Sequence, residues 1–481
     1  MRIRLLSCLI CFVMSSCTTQ ADEFSLSEAP SALKKAVHFL RTGVAKNSPG
    51  GYLWRYSADL KRREGEGVAT DTLAWVQPPG TPTVGMAFLD AYRATGDSYL
   101  LDAAKESAYA LVSGQLKSGG WDYRIEFDKR RRSNWSFRVD DGTGQRSVTT
   151  FDDNTTQSAM RFLMQIDKEL KFKDAKIHEA IEYALNAFLK AQYPNGGWPQ
   201  RYSRFPKPEN FPVKKAGYPK SWPKIWPKKK YNNYYTFNDN AIADTIATMF
   251  DAAEIYDEPK YRAAAERAGD FIILAQMPEP QPIWAQQYNA DMHPAWARKF
   301  EPPSVTGEES QGVLRTLMFL YRKTGNDKYL KPIPAALDYL ERSELPGGKL
   351  ARFYELKTNK PLYFTKQYKL VYTADDLPTH YGFIVGSKLD SIQKEYDKLL
   401  KTPKDKLDPP RKPQKYKLSS SLMLKTQSVL DGLDSRGAWT EPGKLKYHGD
   451  DDPTTRIIDM KTVVSNIGTL SAFITAAKSK K

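Results

Sequence analysis

The sequence predicts an all-α protein, an α/α toroid built from repeated helical hairpins. Three observations favour this fold: a helix–turn–helix pattern recurs, each copy closes on a segment with glycine and aromatic residues, and glycine and proline fall in the turns. The repeat of roughly 65–90 residues is too long for a tetratricopeptide array. Such hairpins can close into a ring whose inner helices line a funnel, and an open helical solenoid is the alternative arrangement.

Four copies of the hairpin follow one another, and the apolar spacing within them is helical. In the second copy Ile177, Ile181 and Leu185 fall on one stripe of a 3.6-residue period. The copies cover residues 83–115, 155–192, 240–276 and 308–341, and they close on GGW at 119–121 and 196–198, IWAQQY at 283–288 and GGKLARFY at 347–354. In a closed ring these closing segments would rim the funnel.

The beginning of the chain is typical of a targeting segment. Residues 1–21 are predicted to be a signal peptide, because two arginines precede an apolar stretch over 5–14 that is too short to span a bilayer. All three cysteines lie in this segment, so the rest of the chain contains no disulfide and no thiolate metal site. Cys17 is a possible lipid anchor, and cleavage after Ala21 is the alternative. We expect residues 22–481 to form a single catalytic domain.

The chain is strongly basic, with a formal net charge of +16 that falls to +14 without residues 1–21. An exported basic protein without a nucleic-acid motif points to an anionic partner, either an acidic polysaccharide or an anionic surface, unless the lysines only maintain solubility. We expect no nucleic-acid partner and no transmembrane helix, a monomer, and a secreted, periplasmic or outer-membrane lipoprotein location in a bacterium. Residues 203–230 are predicted to be a basic, proline-rich loop.

Clusters of aspartate and asparagine precede two of the predicted helices. TFDDNTT at 150–156 opens the second hairpin, and TFNDNA at 236–241 opens the third. One interpretation is helix capping, since these side chains accept hydrogen bonds from free backbone N–H groups. The other is a metal site: if both helix starts point into the funnel, Asp152, Asp153 and Asp239 converge on a hard cation, and calcium favours such oxygen ligands.

Arginine and aromatic residues are concentrated in the segments predicted to rim the funnel. Arginine grips carboxylates with two hydrogen bonds, and aromatic faces stack on sugar rings. Beside a calcium site, these residues describe a pocket for a polyanionic sugar, although each arginine could equally form a surface salt bridge. The candidate substrate-binding residues are Trp198, Arg201, Arg352 and Lys366.

Taken together, these motifs resemble the pectate lyases of polysaccharide lyase family 10. The resemblance runs in order from about residue 30 to 385, and it implies an α/α toroid that performs calcium-dependent β-elimination on polygalacturonate. The motifs that carry it are TFDDNTT, NGGWPQRY, TFNDNA, PAWARKFEPP, GEES and ARFYEL followed by TNKPLYF.

The resemblance also implies roles for individual residues. Arg298, in PAWARKFE, matches the arginine that acts as the catalytic base, and Asp239 matches a calcium-coordinating aspartate. Asp152 matches an aspartate that is essential at the +1 side of the cleft, and Asp153 stands where relatives often have asparagine. Arg352 and Lys366 match residues that bind substrate carboxylates, the latter usually arginine. The loop at 203–230 and the segment 375–380 depart from the family pattern, so they affect cleft length and substrate preference.

Three other classes compete with a lyase. A glycoside hydrolase on the same fold would use two of the carboxylates as an acid–base pair, and a non-catalytic protein would bind pectin without releasing product. The Gln–Trp pattern at 188–198 resembles that of triterpene cyclases, but those need an Asp-x-Asp-Asp motif that this sequence lacks.

Overall fold

The computed structural model describes residues 28–140, 144–410 and 414–479. The predicted signal peptide, residues 1–21, and the candidate anchor Cys17 lie outside the described residues. Within the described part of the chain, no helix is both long enough and apolar enough to cross a membrane.

Helices dominate the described residues. In chain order they are α1 (28–39, continued by a π-helical turn, Leu40–Val44), α2 (Thr81–Thr95), α3 (Ser98–Ser113), α4 (Lys129–Arg132), α5 (Thr155–Glu169), α6 (Ala175–Ala191), α7 (Ala241–Tyr256), α8 (Pro259–Leu274), α9 (Gly307–Thr324), α10 (Ile333–Arg342), α11 (Leu389–Leu400), α12 (Ser420–Asp431) and α13 (Met460–Lys478).

The strands are short and lie between the helices. They are β1 (Arg55–Ser57), β2 (Arg63–Gly65), β3 (Gly67–Val68), β4 (Leu73–Trp75), β5 (Arg124–Glu126), β6 (Thr149–Thr150), β7 (Arg201–Tyr202), β8 (Tyr235–Thr236), β9 (Gln287–Tyr288), β10 (Ser304–Thr306), β11 (Lys349–Ala351), β12 (Phe353–Glu355), β13 (Pro361–Phe364), β14 (Leu370–Val371), β15 (Ile384–Gly386), β16 (Glu441–Pro442) and β17 (Arg456–Asp459).

The helices form a closed α/α toroid, as predicted. Helices α2, α5, α7 and α9 pack side by side in that order, and each is followed in the chain by the second helix of its hairpin. The last helix, α13, packs against α2, and β17 pairs with β1 in a five-stranded antiparallel sheet. Because the last elements return to the first, the alternative of an open solenoid is excluded.

A recurring pair of polar side chains explains why each hairpin ends on its closing segment. Gln192, after α6, donates one amide bond to the carbonyl of Gly196 (2.9 Å) and another to that of Ala264 (2.8 Å) in the next hairpin. Trp198 donates its indole N–H to the carbonyl of Phe188 (2.9 Å). Equivalent contacts are made in the first hairpin by the pair Gln115 and Trp121, and in the third hairpin by the pair Gln276 and Trp284. Each closing segment therefore ties its own hairpin to the next.

This arrangement corrects the prediction for Trp198. The side chain is only 1% exposed, and its single polar atom is used within the core. It has no free face on which a sugar could stack. The neighbouring Gly196 has a φ of +93°, and a Cβ there would meet the backbone of Arg267 at 2.0 Å. Glycine and tryptophan in this segment therefore serve packing rather than substrate binding.

A small β-lobe on one side of the toroid was not predicted. Strands β10, β12, β13 and β14 form a four-stranded antiparallel sheet with its own hydrophobic cluster, which includes Trp296, Phe300, Phe353, Phe364 and Phe383. The proline-rich segment 203–230 contains no α-helix, as expected, and it packs against this lobe. Trp226 donates to the carbonyl of Ala297 (2.9 Å), and Trp296 donates to that of Pro223 (2.8 Å).

Candidate active site

Two equivalent turns at the starts of α5 and α7 carry the predicted acidic residues. Each turn follows a two-residue strand, β6 or β8, and consists of a 3₁₀ segment, Asp152–Asn154 or Asn238–Asn240. The last two residues of both turns are left-handed, with φ of 51° and 57° in the first and 48° and 57° in the second. Aspartate and asparagine tolerate this conformation better than other residues with a Cβ.

The interpretation that these residues only cap helices is not supported by the geometry. The N-cap residues Asn154 and Asn240 make no side-chain hydrogen bond to the helix that follows. In contrast, Asp174 accepts a bond from the backbone N–H of Ile177 at the start of α6, as a capping residue does. The side chains of Asn154 and Asn240 are therefore not used as helix caps.

Asp152, Asp153 and Asp239 converge into one cluster. Each offers a carboxylate oxygen, and these atoms lie within 4.8 Å of one another. Burial, followed by repulsion from Asp152 and Glu66, raises the pKa of Asp153 to about 6. Asp239 is exposed to solvent, but the surrounding protein partly desolvates its carboxylate. This desolvation, followed by repulsion from the other two carboxylates, raises the pKa of Asp239 above the usual range. The positive charges of Arg201 and Arg298 offset only part of this effect, and a bound cation would supply further positive charge.

Asp152 is the most firmly held member of the cluster. Its Oδ2 atom accepts hydrogen bonds from Arg201 (2.8 Å) and from the hydroxyl of Tyr123 (2.8 Å), and its Oδ1 atom accepts one from Gln200 (3.0 Å). Burial alone would raise the pKa of Asp152, but Arg201 and the other donors lower it below its usual range. Arg201 thus orients Asp152 through Nη2, and its contact with a substrate carboxylate stays a prediction.

The second turn repeats this arrangement with a neutral residue in place of Asp152. Asn238 occupies the equivalent position, and its Oδ1 accepts a hydrogen bond from Gln286 (2.6 Å), just as Asp152 accepts one from Gln200. The two glutamines occupy equivalent places in the closing segments PQRY and AQQY. The repeat that builds the fold therefore also builds the site, with aspartate in one copy and asparagine in the other.

Arg298 lies near the cluster and is held by Glu301. The carboxylate of Glu301 accepts bonds from the backbone N–H (2.9 Å) and from Nη2 (2.5 Å) of Arg298. The guanidinium lies 5.0 Å from the ring centre of Phe300 and 5.5 Å from that of Tyr381, and 38% of the side chain is exposed. Burial would lower the pKa of Arg298, but the bond to Glu301 outweighs it, so the pKa is raised. Arg298 is fully protonated in the free protein.

Arg352 is held in a similar way by Glu309, near the start of α9. Its Nη1 donates to Glu309 Oε1 (2.9 Å), and its Nε donates to the carbonyl of Gly382 (2.7 Å). Glu309 is 9% exposed, and its own Oε1 also accepts a bond from Gln286 (3.1 Å). The start of α9 therefore carries the carboxylate of an arginine–carboxylate pair beside the turn that contains Asp239.

Lys366 is placed differently from the other predicted residues. It follows β13, its side chain is 63% exposed, and its Nζ lies 3.5 Å from Asp376. Among the described contacts of Lys366, none joins it to the carboxylate cluster or to the two arginines.

Six further residues of the site were not predicted from the sequence: Tyr123, Gln200, Gln286, Glu301, Glu309 and Tyr381. The two glutamines and the two glutamates lie within the motifs NGGWPQRY, IWAQQY, PAWARKFEPP and GEES, so those motifs contained the signal that could have identified them.

Fold and site together define a toroidal protein in which three aspartates and three arginines lie near the starts of the inner helices. Residues 115–349, just under half of the chain, match the family model described as pectic acid lyase. This match confirms the resemblance predicted from the sequence and supports a polysaccharide lyase. The matched region contains the three aspartates, Arg201 and Arg298, whereas Arg352 lies just beyond it. None of the curated proteins matches the chain.

Several solved structures are similar to the chain at low identity. A family 10 polysaccharide lyase from Cellvibrio cellulosa is 22% identical, over 65% of this chain and 95% of that chain, with a TM-score of 0.47. A variant of that enzyme in complex with trigalacturonic acid is 21% identical, over 66% and 98%, with a TM-score of 0.46. A glycoside hydrolase family 76 mannosidase from Bacteroides thetaiotaomicron is 10% identical, over 95% and 100%, with a TM-score of 0.42.

Proposed function

We propose that the protein is an exported, calcium-dependent pectate lyase, which cleaves polygalacturonate by β-elimination to 4,5-unsaturated oligogalacturonates. The observation that carries the proposal is the convergence of Asp152, Asp153 and Asp239 beside Arg298 and Arg352. The match to the pectic acid lyase model supports the same substrate. The basic charge of the chain agrees with a polyanionic substrate, and the apolar start of the sequence agrees with export.

The donor set at the cluster fits calcium. Three carboxylates within reach of one another, with an asparagine oxygen next to them in each turn, are the hard oxygen ligands that calcium prefers. The Oδ1 atom of Asn154 is buried and has no hydrogen-bond partner, which leaves it available as a ligand. Asp153 and Asp239 would hold the ion most directly, because Asp152 already accepts three side-chain hydrogen bonds. A bound calcium ion supplies positive charge that increases the acidity of the proton next to the substrate carboxylate.

Arg298 is the residue we propose to take the C5 proton of a galacturonate. The C5–H bond breaks, its electrons form the C4–C5 double bond, and the C4–O bond breaks with its electrons on the leaving oxygen, which takes up a proton from solvent. Arg298 must first lose its own proton, although Glu301 and Asp239 both stabilise the charged form. Neutralisation of Asp239 by a cation removes one of these two contributions.

Arg352 is the residue we propose to hold a substrate carboxylate. Its Nε and Nη1 atoms are bonded to Gly382 and Glu309, so the plane of the guanidinium is fixed before substrate arrives. A prepositioned guanidinium loses little side-chain entropy on binding. The remaining nitrogen, Nη2, makes no contact among the described residues that would prevent it from binding the substrate.

The proposal is tested by the mass of the products. Polygalacturonate digested with the full chain in calcium should give oligomers that are one water lighter than the corresponding hydrolysis products, because elimination consumes no water. Only products of full hydrolytic mass, with none lighter by one water, would instead identify a glycoside hydrolase, in which two of the carboxylates act as acid and base. Binding of polygalacturonate without any product would identify a non-catalytic pectin-binding protein.

A further inference from the structure

Tyr381 connects the two arginine–carboxylate pairs of the site. Its ring packs against Phe300 (centroids 4.7 Å apart) and against Phe383 (5.4 Å), in the hydrophobic cluster of the β-lobe. The guanidinium of Arg352 lies 4.6 Å from the ring centre, and that of Arg298 lies 5.5 Å from it. One aromatic side chain thus lies between the arginine proposed as base and the arginine proposed as substrate binder.

The hydroxyl of Tyr381 both accepts and donates hydrogen bonds. A phenol has one donor hydrogen and two acceptor lone pairs. The hydroxyl accepts a bond from Arg352 Nη1 (3.3 Å) and lies 3.1 Å from Gln286 Nε2, whose two hydrogens are shared among Tyr381, Asn238 and Glu309. Both nitrogens can only donate. Its hydrogen is therefore directed to Glu301 Oε1, at 3.2 Å. The same Glu301 oxygen accepts the bond from Arg298 Nη2.

We infer that Tyr381 is a positioning residue for the proposed elimination: through Glu301 it orients Arg298. The inference rests on the proposed function, since it assigns a role relative to the base of that reaction. Glu301 is 1% exposed, so bulk solvent does not readily replace a lost donor to its carboxylate. With the hydroxyl in place, Glu301 Oε1 is shared between a tyrosine and an arginine. Without it, Glu301 Oε1 loses one of its two donors, so the carboxylate is less firmly placed and holds the proton of Arg298 more strongly.

Arg352 depends much less on the same hydroxyl. It keeps its shorter bonds to Glu309 (2.9 Å) and to the carbonyl of Gly382 (2.7 Å) whether or not Tyr381 carries an oxygen. Loss of the hydroxyl should therefore affect proton transfer by Arg298 and leave the binding of a substrate carboxylate nearly unchanged. This separation of kcat from KM distinguishes positioning of the base from a general disturbance of the site.

The test is Tyr381→Phe in the full chain, assayed on polygalacturonate with saturating calcium. We expect kcat to fall about 10- to 100-fold, the effect of losing a hydrogen bond to a buried charged group, with KM within about threefold of the wild-type value. Tyr372→Phe is the matched control, since that hydroxyl also donates to a carboxylate, Glu355 Oε1 (2.8 Å), elsewhere on the β-lobe. The control should retain wild-type kcat.

A double-mutant cycle with Glu301→Gln completes the test and does not depend on the single variant alone. If Tyr381 acts through Glu301, adding Tyr381→Phe to Glu301→Gln should lower kcat no further than Glu301→Gln does. Near-native kcat in Tyr381→Phe, or losses that multiply in the double variant, would overturn the inference while the proposed function stands. A wild-type chain that forms no unsaturated product would instead overturn the proposed function, and the role of Tyr381 with it.

Discussion

Replacement of Arg298 by lysine should lower turnover at least about 10³-fold, or roughly 4 kcal/mol of activation free energy. In the structure Nη2 of Arg298 is bound to Glu301 and Nε is buried, which leaves Nη1 to face a substrate. A lysine has a single nitrogen, which would follow Glu301, so it cannot make both contacts. A displacement of about 1 Å costs about 10²-fold, and the loss of a charge-assisted hydrogen bond in the transition state adds about another 10-fold.

The assay for Arg298→Lys combines steady-state rates with direct binding of an oligogalacturonate, both under saturating calcium. Binding should change little, because the role of Arg298 lies in the transition state. Arg322→Lys is the control, since Arg322 also pairs with a glutamate, Glu395 (2.6 Å), but on the outer side of α9 against α11. Arg352→Lys should show the opposite pattern, with weaker binding and a smaller change in turnover.

Near-native turnover in Arg298→Lys would refute this reasoning. An Arg298→Lys variant that keeps its turnover and loses only affinity for the oligogalacturonate would also refute it. Arg298 would then bind the substrate, and another group would have to act as the base. A loss of similar size in Arg322→Lys would show that arginine-to-lysine changes disturb this fold generally.

Three further predictions concern the carboxylate cluster. Chelation should abolish activity while the melting temperature falls only slightly, because the toroid packs without the ion; cooperative unfolding by chelator would mean that the metal is structural. Asp239→Ala should lower activity far more than Asp257→Ala, which lies in the turn between α7 and α8, and equal losses would contradict a role for Asp239 in metal binding. The metal-free protein should lose stability as pH rises from about 4 to about 6, since the pKa of Asp153 is raised from 3.8 to about 6 and its ionised form is disfavoured in the fold. Calcium should therefore raise the melting temperature more at pH 7 than at pH 5, and Asp153→Asn should reduce this difference; an equal rise at both pH values in the wild type would contradict the assignment.

The repeat made much of the fold predictable from the sequence. Helical spacing, with glycine and proline confined to turns, marks each hairpin, and the four predicted copies agree with the helices α2–α3, α5–α6, α7–α8 and α9–α10 to within a few residues at most ends. The same repetition exposed the equivalence of TFDDN and TFNDN. Two equivalent turns in neighbouring hairpins of a closed ring come together, so the convergence of the aspartates could be predicted as well.

The partners of the charged groups could not be predicted in the same way. Glu301 lies only three residues from Arg298, but whether the two side chains meet depends on the turn that joins them. Tyr381 reaches Glu301 from 80 residues further along the chain, through a β-lobe whose short strands give little periodic signal. The burial of Trp198 could not be predicted for a related reason. A tryptophan next to two glycines is typical of an exposed turn, and only the packing of the next hairpin shows that this side chain is buried.

The central claim is that this site performs elimination with the help of a cation held by Asp239 and its neighbours. It is tested most directly by the ultraviolet absorbance of the unsaturated product, followed during incubation of polygalacturonate with the full chain. The absorbance should rise steadily in calcium, stop rising when chelator is added and resume when calcium is restored, whereas Asp239→Ala should give little increase under the same conditions. An absorbance that stays flat in calcium, or that rises equally with chelator present, would contradict the account.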